Sequence, residues 1–384
     1  MKPKIKEIVT PLIKHEKKIR IGYHEKAFDL MDEDNKIESL LSSFDGQKEL
    51  EELAKLNNLQ IEELIDLINT FDNIKILENR DLMKDLLNEQ EKERYRANFT
   101  YFEYYTDIYK SSYDMQKKIK DSHVLILGLG GAIQDVATLA SLGVGKITGL
   151  DFDTVERSNL NRQYIYKEDD IGKLKTEAAK QRIKEINSDI ELNIINKKIT
   201  SSEDILPLLS NVDLVISGID SPGIISSRWV NFACVNKRVP AIFSGINGNK
   251  ILINKLSGSG EGCFDCFLMN CLKNDPIFKY QLNTLYGYTF EKKNTAIAPT
   301  VSILSGFITV EVMKHLLNLE NQMRAGYMYQ FDVNGLTMNS DYHWEKSNEC
   351  PTCGKNSLKE MCDITTLMEI VEGQTNGTRE IHKG

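Results

Sequence analysis

Residues 123–175 read HVLILGLGGAIQDVATLASLGVGKITGLDFDTVERSNLNRQYIYKEDDIGKLK. An apolar run, VLILGL at 124–129, carries the first of three close glycines, Gly128, Gly130 and Gly131. A helical pattern follows from Ile133 to Leu142, and KITGLDF at 146–152 is a second strand pattern that reaches Asp151. Glycines in such a turn let backbone N–H groups approach a phosphate or ribose closely. An acidic residue about 20 positions on, at the end of the second strand, can accept hydrogen bonds from ribose hydroxyls. The third glycine of a dinucleotide fingerprint is missing, since Ile133 stands near its place. On these residues alone NAD and ATP remain comparable ligands.

The residues after Asp151 shift the balance. SNLNRQ places Asn159, Arg162 and Gln163 just downstream, and Lys175 follows. A guanidinium can grip phosphate as a fork, and a lysine adds a point charge. Asp220 ends DLVISGID (213–220), at the carboxyl edge where open α/β sheets bind ligands, and a carboxylate there can hold Mg²⁺ beside phosphates. Hydride transfer needs no such clamp.

In this order, GLGG, LDFDTVERSNLNRQ, DIGKLK and GID resemble the ThiF/MoeB/HesA-type adenylating enzymes, relatives of the ubiquitin-activating enzymes. The resemblance runs over residues 93–355 and implies a Rossmann-like fold, ATP·Mg²⁺ binding and transfer of AMP to a carboxylate. It implies that Gly128, Gly130 and Gly131 line the nucleotide turn and that Asp151 holds the ribose. Asp153 falls in the same nucleotide-binding set. Asn159, Arg162, Gln163 and Lys175 would contact phosphates or order the site, and Asp220 would bind Mg²⁺. Arg162, Lys175 and Asp220 are the catalytic candidates. Two positions depart from the family pattern. Its Arg-Tyr-x-Arg run, whose second Arg reaches the neighbouring subunit's site in a homodimer, reads Arg94-Tyr95-Arg96-Ala97 here. The Asn that usually follows the strand-end Asp is replaced by Ser221-Pro222, which is similar to the microcin-type peptide-adenylating branch.

Seven cysteines include two tight pairs, Cys263/Cys266 and Cys350/Cys353. Neither pair can enclose a metal alone, so one shared four-cysteine zinc site is expected, with dithiol redox chemistry as the alternative reading. The family resemblance makes this zinc structural. Cys234, Cys271 and Cys362 stand apart, and no cysteine lies between Asn274 and Ala296, where the family's crossover loop falls. An acyl transfer to a cysteine of this chain is therefore not expected.

From residue 123 strand and helix patterns alternate, which implies a doubly wound, mostly parallel sheet. Residues 123–362 are read as the ATP-dependent adenylation domain with its zinc knuckles. Residues 1–85 are read as a separate α+β module with strands at Ile19–Tyr23, Ala27–Met31 and 74–77 around three helical patterns. That content suits a winged-helix-like module or a plain amphipathic bundle. Its 39–77 stretch resembles the PqqD-like leader-recognition modules of peptide-modifying enzymes, which implies a precursor peptide bound by its leader. Residues 86–122 are read as a linker helix, within the charged run Asp81–Arg96, and an aromatic segment. Residues 363–384 are read as a mobile polar tail.

The chain of 384 residues accommodates two or three domains. Its net charge of −8 argues against bulk attraction to nucleic acid or anionic membrane. No apolar run is read as approaching the roughly 20 residues of a membrane span, and MKPKIKEIVTPLIKHEKK is no secretory signal. These features point to a cytoplasmic enzyme. The substrate reading is a ribosomally made precursor peptide. The alternatives are a ubiquitin-like sulfur carrier and a non-catalytic leader-binding scaffold.

Overall fold

The computed structural model describes residues 1–22, 27–83, 86–258, 260–286 and 294–381, of which 374–381 are described in backbone only. Tyr23, part of the first expected strand, and residues 287–293 of the expected crossover loop lie outside the described residues. The chain divides into two compact units, Met1–Lys120 and Asp121–Gly384.

The first unit opens with strands β1 (Pro3–Ile5), β2 (Leu12–His15), β3 (Lys18–Ile21) and β4 (Phe28–Met31). Helices α1 (Lys36–Ser43), α2 (Leu50–Leu56) and α3 (Ile61–Asn73) follow, then β5 (Leu77–Asn79). β2, β3 and β4 form one antiparallel sheet, and β1 pairs with β5. α3 is set by a capping box, with Gln60 N–H donating to Glu63 Oε2 at 2.8 Å. Its Leu64, Ile68 and Phe71, at helical spacing, are buried with Leu41, Leu53, Ile19 and Ile21 in a single core.

The expected helix Asp81–Arg96 is corrected. A 3-10 turn, Arg80–Met83, is followed by a fresh start at α4 (Glu89–Arg94), where Asn88 Oδ1 caps Glu91 N–H at 2.9 Å. α5 (Arg96–Phe102) and α6 (Ser112–Lys120) complete the unit. Arg94 thus ends one helix and Arg96 opens the next, with buried Tyr95 between them. The segment expected to be a linker is pinned to the module. Lys6 Nζ donates to Thr106 O at 2.6 Å, Ile8 N to Glu103 Oε2 at 3.0 Å, and Ile108 N to Asp72 Oδ1 at 3.1 Å.

The second unit begins with β6 (His123–Leu127), α7 (Ile133–Leu142), β7 (Lys146–Asp151), α8 (Lys175–Ile186), β8 (Glu191–Asn196) and β9 (Leu214–Ser217). It continues with α9 (Gly223–Lys237), β10 (Ala241–Asn247), β11 (Lys250–Leu256), α10 (Phe264–Asn274) and α11 (Phe278–Tyr286). α12 (Ala298–Leu317), β12 (Tyr327–Asp332), β13 (Thr337–His343) and α13 (Ile364–Ile381) close it. The eight strands run in the order β13-β12-β11-β10-β9-β6-β7-β8. β10 through β8 are parallel, and β11, β12 and β13 extend the sheet antiparallel. This is a Rossmann-like, mostly parallel sheet. After β6 the chain moves to β7 on one side and later returns to β9 on the other. The carboxyl ends of β6 and β9 are therefore the topological switch point where such sheets bind ligands.

Three local expectations change. The helix expected over Ser201–Leu209 is two 3-10 turns, Ser202–Asp204 and Leu206–Leu209, with Pro207 interrupting an α-helical run. α12 is an apolar 20-residue helix with mean hydropathy 1.3, long enough to cross a membrane by composition, contrary to the sequence reading. It lies on the sheet instead, packing against α7, β10 and β11 with Val301, Ile308, Val312 and Leu316 buried. The expected mobile tail begins as α13, whose Ile364, Leu367, Met368 and Val371 are buried in the core of the second unit.

Candidate nucleotide and metal sites

The glycine turn is built by close backbone contact. Gly128 has φ +92°, and its N–H donates to Leu150 O at 2.8 Å. A Cβ at Gly128 would lie 2.8 Å from Gly218 O, so only glycine lets the end of β6 pass the end of β9. Gly130 sits against Gln163, whose Nε2 would be 3.3 Å from a Cβ there. Gly131 is less constrained, with Val301 of α12 at an ordinary 3.6 Å.

Asp151 links the turn to the end of β7. Its Oδ2 accepts the Leu129 N–H at 2.6 Å, and its Oδ1 accepts those of Phe152 and Asp153 at 2.8 Å each. Three of the roughly four acceptor directions of a carboxylate are thereby taken. The carboxylate is held rigidly, with one direction left for a hydroxyl. Lys175, 6% exposed at the start of α8, places Nζ 3.0 Å from Asp153 Oδ2, and its N–H donates to Asp153 O.

The segment carrying Asn159, Arg162 and Gln163 is anchored to the same turn. Gln134 Nε2 donates to Arg162 O at 2.8 Å, and Tyr166 OH donates to Leu129 O at 2.8 Å. Asn159 Oδ1 caps its own 3-10 turn through Glu156 N–H at 3.0 Å. The Arg162 guanidinium folds back on Ser158 O and Asn161 Oδ1, each at 3.0 Å. Asp220 is exposed two residues beyond Gly218 and makes no hydrogen bond or ion pair among the described residues. The structure thus brings Gly128, Gly130, Asp151, Asp153, Lys175 and Gln163 around one turn. It does not bring Arg162 or Asp220 into direct contact with them. A lone carboxylate with phosphate oxygens is the usual donor set for Mg²⁺, and Asp220 fits that description.

The four expected ligand cysteines converge. Their sulfurs all lie within 4.8 Å of one another, with Cys263–Cys350 at 3.6 Å and Cys266–Cys353 at 3.4 Å. Tetrahedral zinc with 2.3 Å bonds requires sulfur spacings of about 3.8 Å, so the four thiols fit zinc. Amide donors support them, Asn231 Nδ2 at 3.7 Å from Cys263 Sγ and Ser347 N at 3.4 Å from Cys266 Sγ.

Sequence reasoning missed the layer behind the knuckles. Arg228 and Asp265 form a fully buried bidentate pair at 2.8 and 3.2 Å, and Thr352 Oγ1 donates to Asp265 Oδ2 at 2.7 Å. Asp265 lies between the cysteines of one knuckle and Thr352 between those of the other, so α9 ties both together. An arginine inside the apolar run RWVNFAC was the only local signal.

The unpaired cysteines are not activated. Burial pushes the thiols of Cys234, Cys271 and Cys362 up from their ordinary value. Cys271 contacts Tyr342 OH at 3.2 Å, and Cys362 contacts Arg228 Nη2 at 3.3 Å.

Residues 104–352 match the model of the ThiF family. The chain is 28% identical over 243 residues to the sulfur carrier protein ThiS adenylyltransferase of Escherichia coli K12, covering 63% of this chain and 89% of that protein. It is 34% identical over 156 residues to the molybdopterin-synthase adenylyltransferase of the same organism, covering 40% and 61%. It spans 57% of the longer adenylyltransferase and sulfurtransferase MOCS3 of Dictyostelium discoideum. Among solved structures, E. coli MccB with AMPCPP and MccA matches with a TM-score of 0.71 at 21% identity. That match covers 92% of this chain and 100% of MccB, and at such identity the likeness is one of fold.

Proposed function

Because the chain belongs to the ThiF family, we propose that it is an ATP-dependent adenylyltransferase that activates a carboxylate of a ribosomally made precursor peptide. The observation that carries the adenylation half is the Asp151 carboxylate at the end of β7, fixed by three backbone N–H groups next to the sheet's switch point, with the Lys175–Asp153 pair following it. A carboxylate is already ionised near neutral pH, so the chain need not supply a general base. Its oxygen attacks the α-phosphorus, the bond to the bridging oxygen breaks, and pyrophosphate leaves with that electron pair. The residues' work is to position the reactants and offset charge on the transition state. In this reading Asp151 orients the ribose, and the glycine turn and Lys175 receive phosphate. Arg162 would turn from its own loop to the nucleotide, and Asp220 would hold Mg²⁺, which would offset charge on the leaving pyrophosphate.

Two features support a peptide substrate. The likeness to MccB extends over the first unit as well as the second, whereas the match to the ThiS adenylyltransferase takes in 63% of the chain. The first unit also has the edge strands β2 and β4, at which an extended leader could pair. A homodimer in the cytoplasm is part of the proposal. Activation of a ubiquitin-like sulfur carrier is an equal second reading, favoured by the named roles of the curated relatives. ATP–pyrophosphate exchange separates the two. Stimulation by a leader-bearing peptide and not by a carrier ending in Gly-Gly supports the first. The reverse pattern overturns it in favour of the second. A non-catalytic scaffold would show no exchange with either.

A further inference from the structure

Asp135 sits in the first turn of α7, directly after the glycine turn, and is 3% exposed. A helix start ordinarily favours an ionised carboxylate. Burial opposes this and prevails, pushing the Asp135 carboxyl up to about 7. Its polar neighbour is Ser305 on α12, itself 5% exposed. The two stand short of hydrogen-bond geometry, and neither Asp135 Oδ1 nor Ser305 Oγ has a partner among the described residues. Charged groups on the surrounding elements are committed elsewhere. On α8, Lys175 is bound to Asp153 and Arg182 to Asp170. Asp151 at the end of β7 takes three backbone N–H groups. Arg162 folds onto its own loop, and on α12 Glu311 is paired with Lys255 and Lys314, with His315 one turn further on. An ionised Asp135 would be a bare buried charge in the first turn of α7, directly after the glycine turn.

We propose that Asp135 is a positioning residue for the nucleotide. Held as a neutral acid, it keeps the first turn of α7 open to phosphate, and nucleotide binding draws a proton onto it when it is ionised. This rests on the nucleotide site assigned to the Gly128–Asp151 turn. One proton is then taken up per nucleotide bound wherever free Asp135 is ionised. Affinity falls as pH rises past neutrality, by up to about tenfold per pH unit. The titration of ATP itself is common to all variants and cancels in their comparison.

The test is calorimetric titration of ATP·Mg²⁺ into the full-length chain between about pH 6.5 and pH 8.5, in two buffers of different ionisation enthalpy to count protons. The wild type is expected to lose about 20-fold in affinity across this range and to take up protons at the upper end. Asp135→Asn should bind with a flat profile and no such uptake. Ser305→Ala, which removes a hydroxyl that favours the anion, should move the onset of the loss to higher pH. An unmoved onset, or Asp135→Asn keeping the wild-type slope and proton uptake, overturns the proposal. Asp151→Ala serves as the site control. Its retained binding at every pH would instead overturn the site assignment, which keeps the two failures distinct.

Discussion

Lys175 Nζ lies 3.0 Å from Asp153 Oδ2, so the lysine expected to meet phosphate is already paired within the fold. The Asp153 side chain is 49% exposed and the Lys175 side chain is nearly buried, so the pair sits at the border of solvent. Incoming phosphate must compete with Asp153 for the ammonium. Asp153→Asn is expected to lower stability by about 1 kcal/mol, because partial exposure screens the lost charge. ATP·Mg²⁺ should raise its melting temperature more than it raises that of the wild type, since Lys175 then gains its counter-charge from the nucleotide. An equal or smaller ATP-induced shift would show that Lys175 does not receive phosphate.

Elemental analysis should find one zinc per chain. Cys350→Ser should lose that metal and melt lower, because the site joins 263–266 to 350–353 across the second unit. Asp265→Asn is expected to keep zinc but to cost roughly 3–5 kcal/mol, since it strands the buried Arg228 charge. Full zinc content in Cys350→Ser would contradict the shared four-cysteine site.

Burial pushes the Glu103 carboxyl up to about 7, although Ile8 N–H donates to it. The native first unit therefore holds that proton more tightly than the unfolded chain. Its stability falls as pH rises from about 4.5 to about 7 and is level above that. Relative to Glu103→Gln, the wild type should lose up to roughly 3 kcal/mol over this window in denaturant titrations. A difference that does not change with pH would place Glu103 in water, unlike the structure.

The core of the second unit was legible in the sequence because its signals are local. The run 124–127, the glycine turn and the α7 pattern carry their own periodicity, and the observed helix Ile133–Leu142 agrees with the expected one. The four cysteines were legible through spacing and thiolate chemistry. The missed features depend on partners far along the chain. Nothing near Gln134 or Tyr166 announces that they fasten the 156–163 segment to the turn. Arg228 finds Asp265 only once α9 and α10 pack together. In α13, Ile364, Leu367, Met368 and Val371 have helical spacing, but the polar sequence beyond them masked it. β12 and β13 lack the strong apolar runs of the parallel strands, because β12 is only partly buried and most of β13 is exposed.

The central claim is that the Gly128–Asp220 switch point adenylates a carboxylate. Exchange of labelled pyrophosphate into ATP, run with a stimulating acceptor, tests it most directly. Wild-type protein should exchange. Asp151→Ala, Arg162→Ala and Asp220→Ala should each lose about 100-fold or more while remaining folded, the scale seen when a group stabilising transition-state charge is removed. Exchange at the wild-type rate in Asp220→Ala and Asp151→Ala would contradict the account.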